Sequence, residues 1–178
     1  MSSELYEKIV SQRGGLESLV ARIPGFKGYH EKNARRQADT MLRNHIADRI
    51  DAIVRSFTRV ESMILDDGKG LSHMSKTREV KSRLQSYRDR VATANPKYSG
   101  MFEAIKIGNE ELDRIYAFDE AQLQYVEELS VNVGILQSTV EKGEDFKAAL
   151  DAVLSSVDTA IEVFSMRDDQ ILQLGSDK

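Results

Sequence analysis

The chain contains no cysteine and no tryptophan. Without thiols there are no disulfides, no thiolate nucleophile and no cysteine–zinc site. Histidine is nearly as scarce: only His30, His45 and His73 occur, well apart in sequence. No Glu-x-x-His pair is present, so the di-iron sites carried by some four-helix bundles lack their ligands here. His30 and Glu31 open HEKNA, which lacks the second histidine of a zincin helix. Long apolar runs are missing as well. No window approaches the roughly 18 residues of a spanning helix, and the opening MSSELYEKIV has early acid and no apolar signal core. It also lacks the Met-Gly start of a myristoylated chain. No metal, cofactor, membrane span or export is therefore expected, and a cytoplasmic setting fits.

Catalytic signatures are equally sparse. Gly68-Lys69-Gly70 lacks both the preceding strand and the Gly-Lys-Ser/Thr ending of a phosphate loop. No Gly-x-Ser-x-Gly elbow exists. Asp66-Asp67-Gly68 is followed by Met74 where an EF-hand needs its glutamate. The expectation is a protein that is not an enzyme.

What the sequence does have is charge and helical period. Apolar residues make up 40% and charged residues 30%, too apolar for disorder and too charged for a membrane protein. A chain of 178 residues is one domain in the simplest reading, with 1–23 a helical segment packing on a bundle of 24–178. The net charge of −4 hides an asymmetry. Residues 1–99 hold 19 Lys and Arg against 12 Asp and Glu, whereas 100–178 hold 6 against 17. Halves of opposite sign bind each other or bind different things.

Both prolines, Pro24 and Pro96, and every glycine but Gly134 fall where the apolar pattern breaks. Between the breaks, Ile46, Ile50, Ile53, Phe57, Val60 and Ile64 follow a heptad seam, which predicts a helix over 29–66 stopped by Asp67-Gly68-Lys69-Gly70. Val80, Leu84, Tyr87 and Val91 predict a second over 72–94, ended by Pro96. A third over 109–142 has Asn109 as its expected N-cap and Lys142-Gly143 as its stop. Phe146, Leu150, Val153, Val157, Ile161 and Phe164 mark a fourth over 144–174. Residues 3–23 read as an amphipathic helix broken at Gly14-Gly15, and 97–107 as a short helical turn. The fold class is all-α: an elongated antiparallel up-down bundle of four long helices with an additional broken N-terminal helix.

The corner RIPGFKGYHEKNARRQAD at 22–39 raises the functional question. Lys32, Arg35 and Arg36 open a long helix, at the end where the dipole disfavours cations. An up-down arrangement sets them beside Glu110, Glu111, Asp113, Asp119, Glu120, Asp168 and Asp169, with Arg88 and Arg90 joining, so the chain's own carboxylates are one answer. The other is a partner or anion docking on Phe26, Lys27, Tyr29 and Arg36. Pro24-Gly25 suits a type II turn. Asp119 lies on the inward stripe and needs an arginine or a tyrosine hydroxyl if buried. His45, between Leu42 and Ile46, reads as a hydrogen-bonded core histidine.

PGFKGY followed by RRQADTMLR resembles a recurrent motif of small, uncharacterised bacterial helical proteins, and IYAFD at 115–119 is similar to a later motif of the same group. The resemblance implies a helical fold and supplies no activity, cofactor or catalytic residue.

Basic surface is the remaining binding signal. KTREVKSRLQSYRDR at 76–90 places Lys76, Arg83 and Arg90 on one face at a spacing of seven. The function expected is a protein-interaction or scaffold role, with a protein partner or a second copy. The candidate surface is Phe26, Lys27, Tyr29, Lys32, Arg35, Arg36, Lys76, Arg83 and Arg90. The alternative is an anionic membrane surface or nucleic acid held by the basic face of helices 29–66 and 72–94.

Overall fold

The computed structural model describes residues 2–66, 70–93, 102 and 104–176. Among them every regular element is helical: α1 (Ser2–Val10), α2 (Gly15–Arg22), α3 (Arg35–Asp66), α4 (Met74–Ala92), α5 (Asn109–Glu141) and α6 (Lys147–Ser176). The expected breaks at Gly68-Lys69 and Pro96 lie outside the described residues, as does most of 97–107. From that stretch Phe102 and Ile105 are buried in the core.

The long helices form for the reason their period suggests. Ile46, Ile50, Ile53, Phe57, Val60 and Ile64 are all buried, so one stripe of α3 faces its neighbours along its length. The helix starts later than its pattern implies, because a short 3-10 turn at Lys32–Ala34 precedes it. At α5 the N-cap is Gly108, not Asn109: Gly108 has extended backbone and its carbonyl accepts the Leu112 N–H at 3.0 Å. The far end closes as expected past Lys142. The Glu144 N–H reaches back to the Thr139 carbonyl at 3.1 Å and the Gly143 N–H to Val140 at 3.0 Å, a Schellman ending.

Side-chain pairs give the sense of each packing. Arg88 with Asp51 and Lys81 with Glu61 set α4 antiparallel to α3. Arg167 with Asp119 and Gln122 with the Ala160 carbonyl set α6 antiparallel to α5. Lys76 with Asp151, Arg83 with Asp158 and Arg90 with Ser165 advance together, so α4 and α6 run the same way. α3 packs on α4 and α5, and α6 packs on the same two. A main apolar core fills the space between these four. α1 and α2 lie on α5, with Ile9 forming a small second cluster around Phe118, Ala121 and Val163.

Candidate functional site

The densest polar chemistry sits inside the end of the molecule where α3 and α5 begin. The chain enters through the corner 23–29. The Phe26 N–H closes on the Ile23 carbonyl at 3.1 Å, with Gly25 at φ 80°, the geometry a type II turn asks of Pro24-Gly25. Gly28 follows at φ 87°, and a Cβ there would stand 2.6 Å from the Tyr116 hydroxyl. Only glycine fits. The chain can then bury Tyr29 completely, its ring stacked on Tyr116 and edge-on to Phe26 and Phe102.

Every hydrogen-bonding group of Tyr29 is engaged. Its N–H donates to the Tyr116 hydroxyl at 2.7 Å, and its hydroxyl donates to Asp119 at 2.6 Å. Its carbonyl accepts from Arg35 Nε at 2.7 Å, while Arg35 Nη1 reaches the Ile105 carbonyl at 2.8 Å. Asp119 also receives Arg167 Nε. Arg167, 1% exposed, bridges onward from Nη2 to Asp39 at 2.7 Å. Asp39 in turn accepts Arg43 Nε at 2.8 Å, and Arg43 extends to Asp168 at 3.1 Å while lying over the Phe164 ring. Arg43 Nη1 also reaches the Val91 carbonyl at 3.4 Å, so α3, α4, α5 and α6 are tied through Asp39, Arg43, Asp119 and Arg167.

The two central carboxylates titrate in opposite directions. Burial pushes Asp39 upward, but Arg167 and Arg43 outweigh it and hold it below the usual carboxylate range. Burial raises Asp119, and its contacts with Arg167 and Tyr29 do not offset that rise. Tyr29 is raised by burial and then by the Asp119 charge beside it. A perturbed pair of this kind is an acid–base candidate only where a substrate can reach it. Here Asp119 and Tyr29 are fully buried and bonded to each other. A buried polar network that is satisfied in this way rigidifies the core around it. Among the described residues no three His, Asp or Glu side chains converge as metal ligands.

Of the nine residues expected to form an interaction surface, three are buried. Phe26, Tyr29 and Arg35 are 3%, 0% and 5% exposed, so the turn folds them inward as core and corrects that expectation. Lys27, Lys32 and Arg36 are exposed. The expected pairing of the corner cations with carboxylates is also corrected. Arg35 binds carbonyls, and among the described residues no carboxylate forms an ion pair with Lys32 or Arg36. Lys76 and Arg83 face α6 and pair with Asp151 and Asp158, while Arg90 bonds Ser165. Arg88 pairs with Asp51 of α3. Among the described residues the buried Nε2 of His45 has no hydrogen-bond partner, contrary to its reading as a bonded core histidine.

Arg167 and Asp39 were the functional-looking residues the pattern hid. Arg167 interrupts the apolar stripe between Phe164 and Ile171, a helical turn from each, and that is the signal that could have found it. Asp119 found both partners its position demanded, an arginine and a tyrosine hydroxyl. No protein-family pattern, curated protein or solved structure matches the chain.

Proposed function

We propose that this chain is a non-enzymatic interaction protein that presents a helical surface to a protein partner, itself included. One observation carries the reading. The shifted pair Asp119 and Tyr29 is sealed inside, while α5 shows solvent the large apolar side chains Val131, 57% exposed, and Ile135, 52% exposed. Their sequence neighbours Ser130 and Gly134 line an open groove between α3 and α5. Apolar side chains grouped at a groove mark contact sites more often than isolated ones do. In this reading the four long helices form an elongated up-down bundle that holds the surface rigid, in a cytoplasmic setting. No described helix is long and apolar enough to cross a membrane.

The alternative, anionic lipid or nucleic acid on the basic face, draws on the exposed Lys32 and Arg36. It is weakened because Lys76 and Arg83 already meet Asp151 and Asp158. Photo-crosslinking separates the two. A photoreactive residue at position 131, introduced in the cell of origin, should give an adduct of discrete mass, and one at the exposed position Arg78 should not. No adduct at position 131, together with salt-sensitive retention on heparin, would overturn the interaction reading in favour of the alternative.

A further inference from the structure

We propose that α1 is a displaceable strap: it closes over a helix-binding groove between α5 and α6, and an amphipathic helix of a partner protein takes its place when it lifts. The inference goes beyond the interaction reading above. The crosslink at position 131 reads a different stretch of α5, so either can fail without the other.

α1 contributes nothing to the main core, whose residues all come from elsewhere in the chain, α2 included. It belongs to the second, smaller cluster, in which Ile9 sits with Ala117, Phe118 and Ala121 of α5 and Val163 of α6. Among the described residues of α1, Ile9 alone is fully buried, while Leu5, Tyr6 and Val10 are half-buried.

The polar attachment is slighter still. Among the described residues α1 makes no ion pair, and its one side-chain hydrogen bond to another helix runs from the Tyr6 hydroxyl to Gln170 at 3.3 Å. An ordinary O–H···O bond is shorter, at about 2.5–3.0 Å. Packing is open on both flanks. A cavity of about 100 Å³ lies among Lys8, Gln12, Gln124 and Glu128, and one of about 250 Å³ among Glu4, Lys8, Thr159 and Glu162.

The joint to the rest of the chain has a definite place. Gly15 is clamped, since a Cβ there would stand 2.7 Å from the Tyr116 carbonyl oxygen. Just before it Ser11 and Arg13 are exposed, and Gly14 turns the chain at φ 83°. α2 is therefore fixed where α1 is not, and 11–14 is the hinge. With nine residues α1 is below the ~12–15 at which an isolated helix becomes even marginal in water, so its order depends on its seat.

That seat has the form of a helix site. Ala117, Phe118, Ala121 and Val163 are each no more than 2% exposed with α1 in place. Lifting α1 uncovers an apolar strip shared by two helices, the kind of surface that docks an amphipathic helix. The occupant in residence defines what fits. It is a helix with apolar side chains at the spacing of Leu5, Tyr6, Ile9 and Val10, and with no charge that the seat must pair. Tethering gives α1 a local concentration on the order of millimolar, and that is what a partner helix has to outcompete.

The chain has no cysteine, so a single introduced thiol reports opening without interference. Val163→Cys places it under α1 and Val157→Cys in the main core, on the same helix and at two fully buried positions. Labelling of the full chain with a thiol reagent should be at least about 100-fold faster at position 163 than at 157, with a weaker dependence on urea. Ile9→Asp, which sets a charge in the apolar seat, should speed labelling at 163 by about tenfold or more and leave 157 unchanged. A peptide of residues 2–13 should bind the Ile9→Asp chain with a Kd equal to the millimolar local concentration divided by the closed-to-open ratio that labelling gives, and should bind wild type more weakly by that ratio. Equal rates and equal urea dependence at 163 and 157 overturn the strap. So does faster labelling at 157 in the Ile9→Asp chain, which would make α1 part of the cooperative core. A fast thiol at 163 with no peptide bound to the Ile9→Asp chain at millimolar concentration overturns the groove as a docking site.

Discussion

Tyr29 and Tyr116 lie face to face, their ring centroids 5.3 Å apart and their planes within 9° of parallel, and the hydroxyl of one holds the backbone N–H of the other. That contact joins the corner at 23–29 to the first turns of α5. It works only because Gly28 leaves room for the Tyr116 hydroxyl.

Two glycines should therefore respond oppositely to the same change. Gly28→Ala forces a Cβ onto a φ of 87° and into the Tyr116 hydroxyl, and should destabilise by more than about 1 kcal/mol in urea unfolding. Gly134→Ala meets open space inside a helix and should stabilise by about 1 kcal/mol. Equal and same-signed effects would refute the packing described for both.

Arg167→Ala removes the cation shared by Asp39 and Asp119 and leaves two buried carboxylates short of a partner. The expected loss is about 3–5 kcal/mol, read as a lower urea midpoint at unchanged slope. A loss no greater than that of a surface arginine would show that the network does not tie the helices together.

The pH dependence should carry both signs. Asp39 is held below its ordinary value, so its contribution is present above the unfolded pKa and is lost as pH falls through the folded one. Asp119 is raised, so its contribution is fully present below the unfolded pKa and is lost as pH rises through the folded one. In urea midpoints taken across pH, the wild-type advantage over Asp39→Asn should shrink in acid below the usual carboxylate range. The difference from Asp119→Asn should move the other way, above that range.

The pairs between α4 and α6 are a different matter. Arg83 and Asp158 are each about half exposed, at 51% and 48%. Arg83→Ala should cost only ~0–1 kcal/mol, and less still in high salt. Thermal unfolding at two ionic strengths checks this, and a loss comparable with that of Arg167→Ala would contradict it.

Much of the scaffold is legible in the residues themselves. The seam from Ile46 to Ile64 and the stop at Lys142-Gly143 each follow from local pattern, and each appears where expected. The corner is legible as a turn and illegible as a place. Pro24-Gly25 and Gly28 announce a change of direction, yet nothing local says that Tyr29 and Arg35 will be swallowed while Lys32 and Arg36 stay outside. That outcome depends on Tyr116, 87 positions away. Arg167 was missed for a related reason: a charged residue on an apolar stripe reads as a flaw until its acidic partners on two other helices are in view. Gly134 stands out in the sequence as the one glycine inside an unbroken apolar pattern, yet only packing shows that a Cβ there would meet nothing within 4 Å.

The rungs linking α4 to α6 recur every seven residues on both helices, at 76, 83 and 90 against 151, 158 and 165. Slide one helix past the other by two turns and most teeth mesh again, so the comb cannot report a misaligned assembly. The sealed knot around Arg167 has no such periodic substitute. It acts as the key that admits a single alignment, and a chain deprived of it should still be helical while losing track of which rung belongs to which.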